Sequence, residues 1–214
     1  MRAQPTSFKI VHMVQQTLPL QEAYFPMHWQ PASGGRWWRG LLPQELEFMC
    51  CYLGPAQAHW LCARIRLGVR RLGDTRRALS APGGWVSLPR SYYEGGDGHQ
   101  ALRLQHPQVA GVFAHELLHA LQRRYGMQVT APALWLQCQF LLLRKDPYCY
   151  SCLPSPRKAL RQFWHANVEQ QGQMWQDWVQ ADVAGQPLAS HALLAHAVRC
   201  GRLQVRARCS GKTL

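Results

Sequence analysis

From Val109 to Leu121 the chain is apolar at almost every position, and the exceptions that carry hydrogen-bonding side chains are His115, Glu116 and His119. Apolar residues recur at helical spacing over about residues 107–125, which predicts a helix buried on nearly every side. Arg123 and Arg124 fall in its last turn, where cations complement the helix dipole, and Gly126 is placed to end it. Two imidazoles and a carboxylate inside such a helix cost free energy unless they are paired or hold an ion. Any fold this chain adopts must therefore supply partners to those three side chains.

Their spacing narrows the choice of partner. Residues four apart on a helix lie one turn apart on the same face, so His115 and His119 can offer ring nitrogens to one ion. Glu116, one position on, is offset from the ion but can reach a water beside it, where a carboxylate acts as a general base. His-Glu-x-x-His on a helix is the arrangement of zinc peptidases, and in an apolar setting it outweighs the reading of three incidental polar residues. A catalytic zinc takes three protein ligands. Beyond His119 the carboxylates are Asp146, Glu169, Asp177 and Asp182. Asp146 precedes a proline in an irregular stretch, whereas Glu169 lies within a predicted helix at 157–183, with Gly172 allowing close approach to the motif helix. Glu169 is the best placed and His165, one turn earlier, is its rival; Gln170 or Gln171 would orient the carboxylate from behind.

The predicted fold class is α+β, helix-rich with a small sheet packed on the motif helix. Helices are expected at 42–53, 107–125, 131–143 and 157–183, with strands at 63–72 and 85–89. The stretch 85–88 is expected to be the edge strand, free to pair with an extended substrate. Residues 1–35 read as a loop-rich arm, 36–184 as the domain, and 185–214 as a basic tail packed on it or extending from it. Lys and Arg number 24 against 11 Asp and Glu, a formal charge of +13 that suits anionic polymers or lipid, or simply a solvated basic surface. No helix-turn-helix or RNA-binding pattern accompanies the arginines, so a nucleic-acid-binding module is the least favoured reading. The eight cysteines form no repeated framework. Cys149 and Cys152 make one C-x-x-C, readable as a disulfide or redox pair, a metal knuckle or unpaired thiols. No apolar run is long enough to span a bilayer, and the N-terminus lacks the apolar core of a secretion signal.

The order of five segments carries a resemblance: LLPQE at 41–45, ARIRLGVRR at 63–71, WVSLP at 85–89, HELLHALQ at 115–122 and NVEQQ at 167–171. In sequence and spacing, over roughly residues 40–180, they resemble the Vgr-related, zincin-like metallopeptidase domains associated with bacterial type VI secretion. Such domains occur alone or at the end of VgrG spike proteins. The resemblance implies a zincin-like fold, Zn²⁺ as cofactor, His115, His119 and Glu169 as its ligands, and Glu116 as the catalytic base. Tyr148 and Tyr150 match a Tyr-x-Tyr that precedes the family's glutamate, and either is expected to stabilise an oxyanion. His99 and His106, ahead of the motif helix, read as ordinary loop residues, with substrate or oxyanion contact as the alternative. The implied role is an antibacterial effector, cytoplasmic before export by a signal-peptide-independent route. It would cut peptide or protein substrates in the target-cell periplasm, with a VgrG spike and a cognate immunity protein as partners. The alternative is a non-catalytic, zinc-containing adaptor of the secretion apparatus.

Overall fold

The fold is described from a computed structural model covering residues 37–144, 146–151, 155–186 and 188–203. The predicted arm at 1–35, Cys152 of the C-x-x-C and the last residues of the basic tail lie outside the described residues. Two helices open the domain, α1 (Pro43–Leu53) and α2 (Pro55–Cys62), parted at Gly54, whose φ of 84° favours glycine. Pro43 occupies the first turn of α1, and Glu45 three residues after the cap accepts the Leu42 N–H at 2.8 Å. Glu45 is fully buried, and its charge is met by a bidentate pair with Arg39 at 2.7 and 2.6 Å. It also accepts the Leu102 N–H at 3.1 Å. A single carboxylate thereby ties the helix start to the loop that feeds the motif helix.

Strands β1 (Arg66–Val69), β2 (Leu79–Ala81) and β3 (Trp85–Leu88) form one sheet in the order β1-β3-β2, with β1 parallel and β2 antiparallel to β3. Alternation puts Ile65 and Leu67 in the core, as their spacing predicts. The strand is shorter than 63–72 because Arg64 and Ile65 still donate to Leu61 O in the exit turn of α2. The expectation of an edge strand at 85–88 is corrected: β3 is central. Arg39 pairs through its backbone with Leu67 on the outer side of β1, which leaves β2 as the uncovered edge among the described residues. Short β2 offers too little alternation to be read from sequence.

Helix α3 (Pro107–Arg124) buries every residue from Val109 to Gln122 except Val112, and Gly126 follows its end at φ 77°. Helix α4 is Thr130–Leu143. The single predicted helix at 157–183 is two, α5 (Pro156–His165) and α6 (Val168–Val183). The break comes from Asn167, whose side chain accepts the Gln170 N–H at 2.8 Å while Gln170 returns a bond to the Asn167 N–H. That reciprocal cap starts a new helix more favourably than it continues the old one. Helix α7 (Ala192–Arg199) sends Leu194, Ala195 and Val198 into the same core, and Leu203 follows them.

The core centres on the packing of α3 against α6, and Phe113, Leu117, Leu121, Met174, Trp175 and Val179 belong to one buried cluster. Two glycines let the axes come together. A Cβ on Gly111 would run into Gln180, and one on Gly172 would sit 2.5 Å from the His115 ring. The molecule is thus α+β, helix-rich with a small three-stranded sheet. Among the described residues no helix is long and apolar enough to cross a membrane.

Candidate metal centre

Helix α3 presents His115 and His119 on the face that α6 crosses, and α6 brings Glu169 to the same point from its first turn. The three side chains are 5–6% exposed and offer one donor atom each within 4.8 Å of one another. Their Nε2 atoms lie 3.0 Å apart, and Glu169 Oε2 stands 3.5 Å from His115 Nε2 and 3.7 Å from His119 Nε2. Tetrahedral ligands at metal distances of ~2.0–2.1 Å are separated by about 3.3 Å, so this triangle fits a small divalent cation.

Hydrogen bonds behind the triangle fix which atom of His119 points inward. Gln171 Nε2 donates to the carbonyls of Phe163 (2.8 Å) and Leu203 (3.1 Å), which can only accept. Its Oε1 therefore faces the Gln122 amide at 2.8 Å, and Gln122 Oε1 is left to accept from His119 Nδ1 at 2.8 Å. With the proton on Nδ1, neutral His119 turns a bare Nε2 lone pair into the centre. Gln171 thus orients His119 through Gln122 rather than orienting Glu169, and Gln170 is spent on the α6 cap. Gln122, one turn beyond His119 on the same face, is part of the cluster's hydrogen-bond network, and helical spacing could have flagged it.

The electrostatics favour positive charge at the centre. Burial alone would raise the Glu169 carboxyl, but the His115 and His119 imidazoles 3.5 and 3.7 Å away hold it well below the usual carboxylate range. Burial alone would likewise lower His119, yet the nearby Glu169 and Glu116 carboxylates outweigh it and raise the imidazole. A proton or a metal ion satisfies the same demand.

Glu116 is 7% exposed and lines the same open cleft, of about 630 Å³. No group among the described residues hydrogen-bonds its carboxylate, so it is available to a water or substrate. Tyr148 also lines this cleft, its ring 6.3 Å from that of His115. Its oxygen accepts from Gln137 Nε2 at 2.7 Å and from Arg77 at 3.5 Å, leaving its own proton to be donated. Burial, reinforced by Glu169, pushes the Tyr148 hydroxyl up to about 12, so it stays a donor. Arg123 enters the cleft too, holding Ser80 of β2 by Oγ (2.7 Å) and by its carbonyl (2.8 Å). Its place in the cleft was hidden behind its place in the last helical turn.

Tyr150 does not line the cleft: its hydroxyl donates to Asp177 Oδ2 at 2.6 Å, which removes it from the expected oxyanion pair. Asp177 is further held by Gln173, Asp182 by Tyr52, and Asp146 by the Tyr148 N–H, all away from the centre. His165 is exposed at the end of α5. His106 is the residue before α3, and His99 lines a separate pocket with Trp37 and Trp38. No two of the described cysteines are bonded.

No family model, curated protein or solved structure matches the chain.

Proposed function

We propose that this chain is a zinc-dependent metallopeptidase of zincin-like architecture. The observation that carries the reading is the convergence of His115, His119 and Glu169 in a cleft where the Glu116 carboxylate is otherwise unengaged. Zinc held by these three donors would supply a Lewis acid for the scissile carbonyl and acidify a water beside it. Glu116 would take the proton from the attacking water and deliver it to the leaving amine, the role its position one residue after His115 allows. Tyr148 directs its free O–H toward the charge that develops on the carbonyl oxygen. Gln122 and Gln171 keep His119 in the tautomer the site requires, and Arg123 fixes the β2 edge along the cleft.

Delivery as an antibacterial type VI effector, acting on peptide or protein substrates of the target-cell envelope, rests on the resemblance of the five segments. One experiment tests both levels. The chain and its Glu116→Gln variant are each directed to the periplasm of a bacterial host, and each is purified for zinc analysis. Glu116→Gln is nearly isosteric but accepts no proton, so it should keep its zinc and lose toxicity and hydrolysis by ~10²- to 10⁴-fold. Undiminished toxicity in a zinc-loaded Glu116→Gln protein would support the non-catalytic adaptor instead.

A further inference from the structure

Helix α4 stands apart from the rest of the fold. Its fourteen residues, TAPALWLQCQFLLL, include no Asp, Glu, Lys, Arg or His, and none of its described side chains is buried. Leu134, Trp135, Leu142 and Leu143 are 65%, 64%, 81% and 69% exposed. Contiguous apolar surface of this kind marks a contact face. The helix is also one wall of the metal cleft, through Ala133, Leu134 and Gln137, and the facing wall is the segment between β1 and β2. That second lip repeats the pattern: Leu72 is 82% exposed and Leu79 46%, on either side of Arg76 and Arg77 in the chain.

We propose that the two lips of the cleft dock on an anionic lipid bilayer, with α4 lying in the interface plane. The charge of the rim selects this occupant. Arg76, Arg77 and Arg144 belong to the two lips, whose acids among the described residues are Asp74 and Asp146; Arg76 already engages Asp74 at 3.5 Å and Arg77 reaches the Tyr148 oxygen at 3.5 Å. A second copy seated on the same face would set these arginines against their own counterparts. The N-terminal segment 1–36 is no better a complement, because Arg2, Lys9 and Arg36 outnumber Glu22. An anionic membrane offers both things the face lacks, an acyl layer for the leucines and phosphates for the guanidinium groups. Fourteen residues of helix reach only about 21 Å, short of the ~30 Å hydrocarbon core, so α4 lies on the bilayer and does not cross it. Trp135 is the residue type that settles at that depth. The cleft then opens at the membrane surface, where its substrates would be chains emerging from or lying on the bilayer.

Docking needs no turnover and is measured apart from the peptidase reading. The full chain is sedimented with vesicles of phosphatidylcholine alone or mixed with phosphatidylglycerol. Binding to the mixed vesicles should exceed binding to the neutral ones by at least ~10-fold and weaken with salt. The double variant Leu142→Ser/Leu143→Ser, which alters only exposed positions, should lose at least ~10-fold of that binding at unchanged zinc content. Brominated acyl chains should quench the protein's fluorescence, and the quenching should shrink in the conservative Trp135→Phe variant. Failure to bind the anionic vesicles overturns the proposal. So does binding untouched by both variants, which is charge adsorption alone. Self-association abolished by the serine pair also overturns it, assigning the face to a protein contact.

Discussion

Glu169 is the candidate third ligand because of what surrounds it, each of the rival carboxylates being engaged by a different group. Tyr150 and Gln173 hold Asp177, Tyr52 holds Asp182, and Asp146 caps a backbone N–H. Two imidazoles alone bind a divalent ion weakly, and a buried carboxylate adds both a donor and a compensating charge. Glu169→Ala should therefore lower zinc affinity by at least ~100-fold, more than loss of an outer partner usually costs. Asp146→Ala and Asp177→Ala should retain the metal. Elemental analysis after dialysis decides it, and full zinc in Glu169→Ala or its loss in His165→Ala would move the ligand elsewhere.

At the scale of the helices, the centre exists because α3 and α6 cross at glycine. Gly172 is in an ordinary helical conformation, so its requirement is space alone: an added Cβ would lie 2.5 Å from the His115 Cε1 and Nε2 atoms. Gly172→Ala should push His115 out of the triangle and cost about 1–3 kcal/mol of stability by overpacking. Zinc affinity should fall further than thermal stability does. Equal zinc binding in a correctly folded Gly172→Ala protein would mean the ring has room the structure does not provide. Asn167 acts at the same scale, since the cap it forms starts α6 in the phase that turns Glu169 toward α3.

At the scale of the whole molecule, the buried cluster makes stability depend on pH. Glu169 is held below its ordinary value, so its contribution is present above the unfolded pKa of ~4.3 and is lost as pH falls below that toward the folded value. His119 is raised, so its contribution is complete below ~6.5 and is lost as pH rises through the folded value. Metal-free protein should therefore gain most from this cluster between about pH 4.3 and 6.5, with Tm declining toward alkaline pH. Added zinc competes with the His119 proton, so the rise in Tm that zinc produces should grow with pH. Thermal unfolding with chelator and with zinc checks both trends, and a chelated Tm that climbs as pH rises above the ordinary histidine value of ~6.5 would contradict them. The sequence by itself determined a buried helix at about 107–125, the His115–Glu116–His119 face and the need for a close-packed partner, because these follow from local period and from the cost of burying polar groups. It also pointed to Glu169, since acids are scarce downstream of the motif. Only the tertiary structure decided that β3 is central and β2 the edge, because strand order depends on pairing between distant residues. It alone separated Tyr148 from Tyr150, whose spacing of two sends one hydroxyl to the cleft and the other to Asp177. The relay from His119 through Gln122 and Gln171 to two backbone carbonyls was likewise out of reach, because it joins α3, α5, α6 and the chain after α7 through contacts that no single segment encodes.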